Sequence, residues 1–591
     1  MTRTLPSPVA AGPDERFGPR LWGLLLVLAG NMLIDALEVS VAVVALPAIG
    51  TDLGAAPTVT QWAMTGFAAG FGGLLLFGAR VVTLLGRRRV YLAALLAFAA
   101  ASVLSALAQD PWLLLATRLT KGFCAALTAP TGLAIITSTF PEGRPRSRAV
   151  SVYTLFGAGG FTAGLILSGW LTEASWRWAF ASPAPVVLLL FGFGLRLIPG
   201  EKRESAPQGT DESAPQGTDE SAPQGTDESA PKEGPGNTRR VDAGNISAGG
   251  NRSAPKTDAG DISAGGNRGA PKTDAGDISA GGNRGAPKGR GAVLDMRLPP
   301  RGRDQPPPRR TRTRTAHRYD IPGALTLLAA LLALVQGITQ LPGHGWSDPR
   351  AVGPLTAAGL LLLLLWRVER HAPAPLLHIG PSLRGNPALL RSAAGAACLN
   401  GSYLGLLFVL TYQTQTLAGW SPLHAALALT PAAAPPALTA LASGRLVAKF
   451  GAPRLIVAGA ACAFAGYLLQ LRPGPWPLDY PGRMLPTLLL VGAGFVLSFA
   501  ALNMQAMSRL APADRLTGSG LYQTAVQLAA VVTVALVAAL LAAYAPAPGP
   551  AAAAAACRPA LTLVAVLGFL GLLVGLTGLI RTPPSSLHDG E

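Results

Sequence analysis

The chain has 591 residues, half of them apolar, with a formal net charge of +17 and a mean hydropathy of +0.37. In a soluble protein that positive excess would suggest a nucleic-acid partner, but here the cations flank long apolar runs, where lipid headgroups and membrane orientation account for them, so nucleic acid is not expected. The four cysteines show no metal-ligand or disulfide spacing, and the apolar runs hold no His/Asp cluster or nucleophile constellation, which argues against a metal site, a disulfide framework and a membrane enzyme.

Fourteen runs are long and apolar enough to cross a bilayer: 21–46, 60–82, 90–108, 112–138, 149–171, 178–198, 321–341, 351–367, 388–415, 423–444, 453–471, 485–508, 518–545 and 559–580. In hydrocarbon each backbone N–H and C=O must be satisfied within its own segment, so such runs are helices. The expected fold class is all-α integral membrane. A tail (1–20) precedes a six-helix bundle (21–198), a linker (199–320), two further helices (321–367), a second six-helix bundle (388–580) and a tail (581–591). With the N-terminus in the cytoplasm, the short inner segments hold nineteen Lys and Arg and the outer loops five. That asymmetry places both termini and the linker on the cytoplasmic side of a plasma membrane.

Helix one contains the sequence LIDALEVSVAVVALP, with Asp35 and Glu38 three residues apart and Asn31 one turn before. Helical spacing puts the three on one face. Intramembrane carboxylates are costly and usually functional, and two neighbouring ones in low dielectric cannot both ionise cheaply, so the pair is a candidate proton carrier. Helix four holds Arg118, with Lys121 and Gly122 one turn further on. A buried guanidinium needs a carboxylate, water or carbonyls around it, which makes Asp35 or Glu38 its candidate partner. The alternative is that Arg118 reaches an interface from a shallower position. Gly66 and Gly70, Gly160 and Gly164, and Gly571 and Gly575 are spaced for close helix contact. In the second bundle Asn400, Tyr412, Gln413, Gln415, Asn503, Gln505, Gln523 and Gln527 either line a substrate path or hydrogen-bond between helices.

The linker has another character. Residues 204–227 are three copies of ESAPQGTD, and 241–288 are three copies of a sixteen-residue unit such as TDAGDISAGGNRGAPK. Almost without large apolar residues, the tract cannot bury enough surface to offset ordering entropy and is expected to be disordered. Its charge is segregated, −6 over 201–233 and +8 over 288–318. The basic end fits either a lipid-binding tail or a duplicated linker obeying the orientation rule.

With these features in place, the chain resembles the fourteen-span drug:proton antiporter family of the major facilitator superfamily. Leu37-Glu38-Val39-Ser40 through Leu46-Pro47 is similar to the family's LDxTIVNVALP, with Glu38 in the acidic place. Gln61-Trp62 opens helix two as QW does in the family. Gly86-Arg87-Arg88-Arg89 matches the end of the loop motif GRLADRxGRR, with Thr83 at its acidic place and Leu84 after it. Arg118 and Gly122 through Ala126 match RxxQGxGAA, with Lys121 in the Gln place. Trp176-Arg177-Trp178 with Phe180 resembles WRWxF, and Gly444-Arg445-Leu446 to Gly451 looks like a second loop motif. The helix-five motif GPxxGG keeps Gly164 and Gly169, while Leu165 replaces its Pro and Ser168 a Gly.

The resemblance implies two pseudo-symmetric six-helix bundles, a central cavity, alternating access and a monomeric transport unit in the lipid bilayer. It implies proton-coupled efflux of small amphipathic or cationic organic compounds such as drugs or antibiotics, with the proton gradient as energy source and no cofactor or metal. Asp35, Glu38 and Arg118 are the proton-coupling candidates, with Glu38 expected to matter most. Asn31, Gln61, Trp62, Asn400, Gln413, Asn503, Gln523 and Gln527 are substrate-path candidates, and Gly86, Arg87, Arg88, Gly164 and Gly169 are gating candidates. Uniport or import of another small molecule, and a transporter-derived receptor or scaffold, are the alternatives.

Overall fold

Each apolar run folds as helix, and polar or proline residues set where it begins. The computed structural model describes residues 17–199, 321–371, 386–472, 478–511, 514–544 and 549–580. The chain divides into a helical body, Met1–Ser205 with Arg314–Glu591, and a second unit, Ala206–Thr313. That second unit holds the repeats and, like both tail ends, lies outside the described residues.

The first bundle comprises α1 (Pro19–Asp52), α2 (Trp62–Leu85), α3 (Arg87–Ala106), α4 (Pro111–Thr139), α5 (Arg144–Ala174) and α6 (Pro183–Leu197). Two further helices follow, α7 (Ile321–His344) and α8 (Pro349–His371). The second bundle comprises α9 (Pro387–Thr411), α10 (Pro422–Thr439), α11 (Ala452–Leu471), α12 (Leu485–Met507), α13 (Arg515–Ala543) and α14 (Arg558–Ile580). Proline in the first turn costs no hydrogen bond, because those N–H groups have no intrahelical partner. Asp110 caps α4 through the N–H of Trp112, and Asn386 caps α9 through those of Ala388 and Leu389. Thirteen of the expected spans are long apolar helices among the described residues. The tenth is a bent pair, α10 and Ser443–Phe450, turned by 75°. Pro431, Pro435 and Pro436 crowd the end of α10 and remove donors from its ladder.

The two bundles meet along two seams. α5 packs on α10, and α2 packs on α13. In each case the fifth helix of one bundle meets the second helix of the other, as a pseudo-two-fold between bundles requires. α7 lies over the α2–α13 seam, and α8 packs chiefly on α7, exposing Leu360, Leu363 and Trp366.

The apolar cores divide by level. One cluster joins both bundles near the end of α1 that carries Asp52, combining Leu37, Val41 and Leu46 with Leu407, Leu429 and Val534. At the opposite end each bundle has its own core, one around Leu28 and Tyr91 and another around Leu389 and Tyr522. Among the described residues the broad apolar seal between bundles thus lies at the Asp52 end, with the α2–α13 seam continuing beyond it. Asp52 also ties that end together, accepting hydrogen bonds from the Trp176 indole and the Arg177 guanidinium just before α6.

Candidate functional site

Asn31, Asp35 and Glu38 share one side of α1, as their spacing dictates, and packing turns that side into the first bundle. Glu38, Arg118 and Lys121 are all fully buried. Arg118 Nη1 pairs with Glu38 Oε2, its Nη2 donates to the Glu38 carbonyl at 2.9 Å, and its Nε donates to the Ala63 carbonyl of α2 at 2.6 Å. Lys121 Nζ closes on the other carboxylate oxygen as an ion pair, without the alignment of a hydrogen bond. Phe67 and Phe180 lie 5.0 and 5.4 Å from the guanidinium carbon, and Phe98 lies 5.1 Å from the Lys121 ammonium. Ring faces of this kind stabilise a desolvated cation. A shallow, interface-seeking position for Arg118 does not hold.

Glycine makes this approach possible. A Cβ on Gly122 would strike the carbonyl oxygen of Phe67, so only glycine lets α4 lie against α2 one turn from Arg118. The sequence placed Lys121 one turn beyond Arg118 and at a motif departure, but gave it no role. Its spacing of three from Arg118 was the available signal, since it puts both cations on one face of α4.

Asp35 stands in a different environment. Its Oδ2 accepts from Asn31 Nδ2 at 3.0 Å and from Thr128 Oγ1 of α4 at 3.2 Å. Its Oδ1 is buried with no hydrogen-bond partner. Among the described residues no cation forms an ion pair with it. One carboxylate is thus compensated twice and its neighbour by neutral donors alone.

The substrate-path candidates fall in separate places. Gln61 lies at the break before α2, its Oε1 accepting from Thr65 at 2.8 Å, and Trp62 packs in the lateral cluster with α7 and α13. Asn31 belongs to the Asp35 group. Asn400 donates to the Val526 carbonyl at 3.3 Å, tying α9 to α13, and Gln413 is buried in the π-helical turn Tyr412–Leu417. Asn503, Gln523 and Gln527 are partly exposed, and their side chains make no hydrogen bond to another described residue. Gln527 faces Gly72 across the α2–α13 seam.

The gating candidates lie at two levels. Gly86 joins α2 to α3 at φ 89°, ψ 138°, and Gly451 repeats that backbone at φ 79°, ψ 142° before α11, so the two loop motifs share one geometry. Arg88, next to Arg87, donates to the Leu195 carbonyl at 2.6 Å, anchoring the loop to α6. Thr83 turns back onto the Arg80 carbonyl at 2.7 Å. On α5, Gly164 abuts Leu37 and Ser40 of α1, whereas Gly169 abuts Leu423 and Ala426 of α10. α5 runs unbroken, with Leu165 packed against Val44 and Ala426 and Ser168 donating to the Val41 carbonyl at 3.1 Å.

Among the described residues, three hydrogen bonds with known partners cross between the bundles. Gln415 donates to the Val44 carbonyl at 3.0 Å, the Leu423 N–H donates to Glu173 at 3.0 Å, and Thr162 donates to the Ala433 carbonyl at 2.8 Å. Glu173 and Thr162 belong to no motif, and only the pairing of α5 with α10 reveals them.

A family model described as Major Facilitator Superfamily matches residues 28–247 and 319–534. The puromycin resistance protein pur8 of Streptomyces alboniger is 28% identical over 536 residues, covering 90% of this chain and 83% of the relative. The cephamycin export protein CmcT of Amycolatopsis lactamdurans is 27% identical over 509 residues, covering 85% and 81%. Among solved structures, the xylose transporter XylE from E. coli in a partially occluded inward-open conformation aligns over 96% of this chain and 98% of that one, with a TM-score of 0.51. At 11% identity this last likeness is one of fold.

Proposed function

The chain belongs to the Major Facilitator Superfamily, and we propose that it exports small amphipathic organic compounds of the antibiotic class in exchange for protons, as a monomer in the plasma membrane. Relatives that cover most of the chain confer puromycin resistance and export cephamycin, which supports the substrate class and the direction. The cation asymmetry puts both termini inside, so the Asp52 end faces out and the described state is sealed toward the exterior.

The observation that carries the coupling is the contrast between the two carboxylates. Protonating Glu38 would leave Arg118 and Lys121 buried without their counter-charge. Protonating Asp35 breaks no ion pair and gives its unpartnered Oδ1 a hydrogen. We therefore assign the exchangeable proton to Asp35 and a fixed charge to Glu38, reversing the ranking expected from the motif. Loading and unloading Asp35 changes the summed charge of the four buried groups from zero to plus one. Asp35 bonds α4 through Thr128, while the following turns of α1 form the outer seal and accept the Gln415 bond. A change at Asp35 thus acts on the element that closes the exterior, the differential contact that a population shift requires.

Purified protein in vesicles with an imposed pH gradient tests the reading. Asp35→Asn should abolish gradient-driven accumulation of an antibiotic while substrate–substrate exchange continues. Accumulation by Asp35→Asn at the wild-type rate would show that the proton travels elsewhere.

A further inference from the structure

Four aromatic rings step from one bundle to the other where the outer seal gives way to separate cores. Phe161 of α5 lies 5.9 Å from Tyr403 of α9, Tyr403 lies 5.0 Å from Phe495 of α12, and Phe495 lies 4.8 Å from Phe499, ring centroid to centroid. The last pair is stacked with 15° between planes. Phe161 and Phe495 pack against the seal that joins the bundles, and Phe499 packs on the inner core of the second bundle alone. The three phenylalanines keep partial exposure.

Two polar side chains near the stack bond no other described residue. Tyr403 is 4% exposed, yet its hydroxyl bonds no other described residue, whereas that of Tyr467 nearby reaches Ser402 at 2.9 Å. The Tyr403 oxygen is not itself enclosed, so it can exchange a hydrogen bond with a ligand or water. Asn503 continues the face of α12, four residues beyond Phe499 and eight beyond Phe495, and its amide is likewise unbonded among the described residues. Among the described residues no cation lies over any of the four rings, and Glu38, Arg118 and Lys121 are fully buried in the first bundle.

We propose that Phe161, Tyr403, Phe495 and Phe499 form the binding face for a flat, uncharged, multi-ring aromatic substrate, with the Tyr403 hydroxyl and Asn503 amide as its hydrogen-bonding partners. This deepens the exporter reading and rests on it for the movement of the bound compound. Offset ring stacking favours a planar ligand over a saturated one of equal area, and a few neutral polar groups in an apolar wall fix its orientation. Because Phe161 belongs to the first bundle and the other rings to the second, the face is complete only while the bundles are joined at this level. Opening the seal separates Phe161 from Tyr403 and dismantles it. The proton site and the ligand face share no residue, so coupling passes through helix movement and not through competition for one carboxylate.

Equilibrium dialysis of the full chain in detergent, with 1-aminoanthraquinone and a saturated tricyclic alcohol of similar size, tests the face. The wild type should bind the planar compound more tightly, by roughly tenfold if one stack forms at the upper end of its usual strength. Phe499→Leu and, independently on the other bundle, Phe161→Leu should each remove most of that preference. Tyr403→Phe should keep the preference but weaken binding of the carbonyl-bearing ring. Equal binding of the two compounds by the wild type, or wild-type affinity in both leucine variants, would overturn the proposal. Selective binding without gradient-driven movement would support the face and overturn the exporter reading.

Discussion

At Glu38 two cations converge on one anion, all three side chains fully buried from bulk solvent. Removing one member of such a group costs more than the group contributes as a whole, because the remaining charges stay buried and uncompensated. Glu38→Gln should therefore destabilise the protein by about 3–5 kcal/mol, the usual cost of orphaning a buried ion-pair partner. Lys121→Gln leaves a one-to-one pair of Glu38 with Arg118, and Asp35→Asn breaks no ion pair. Thermal unfolding of the purified protein should rank Glu38→Gln lowest, with the other two near the wild type. A melting temperature for Glu38→Gln equal to that of Asp35→Asn would mean that the triad does not hold its charge as drawn. The motif singled out Glu38 but not its ion partners, and both acids lie on one face of α1. The cations that distinguish them come from a helix some eighty residues away.

Helix α5 presents different glycines to different neighbours. Gly160 and Gly164 let it lie against α1 within its own bundle, and one turn beyond, Gly169 lets it lie against α10 of the other. A Cβ at Gly169 would come within 2.6 Å of the Ala426 Cβ and 3.0 Å of the Leu423 Cα, so a bulky side chain there acts as a wedge between bundles. Gly169→Leu should push the population toward the state open at the Asp52 end and slow transport. A cysteine placed at Val44, fully buried in the α5–α10 seam, reports the shift. In a background lacking the four native cysteines, its labelling by an impermeant thiol reagent in intact cells should rise with Gly169→Leu. Unchanged labelling would mean that this seam is not the outer gate. Gly160→Leu would instead strike the Leu33 backbone inside the first bundle, reducing yield without exposing Val44.

For the whole molecule, much of the architecture was legible because a bilayer is a severe solvent. Length and apolarity suffice to mark a span, and all fourteen runs fold as helix, down to the α7–α8 pair. The 75° turn after α10 was not foreseen, although three prolines stand near it. Less legible was the direction each face takes around its helix axis, which depends on packing with distant segments. That is why Trp62, expected along a substrate path, lies in the lateral cluster with α7 and α13, and why the acidic face of α1 points into its own bundle. The orientation of the body in the membrane is the one proposed from cation counts, and the structure supplies two sites to check it. Trp346, 77% exposed, follows α7 at the end where Val335 and Ile338 pack on Trp62, the Asp52 end. Gly444, also exposed, lies beyond α10, which starts at Glu173 near that sealed end and runs away from it. The two positions therefore lie at opposite membrane faces. With the native cysteines removed, Trp346→Cys should react with an impermeant thiol reagent in intact cells, and Gly444→Cys only after permeabilisation. The reverse pattern would invert the protein in the membrane. It would turn the sealed end toward the cytoplasm and, in the proposed exchange, have Asp35 take its proton from the other side.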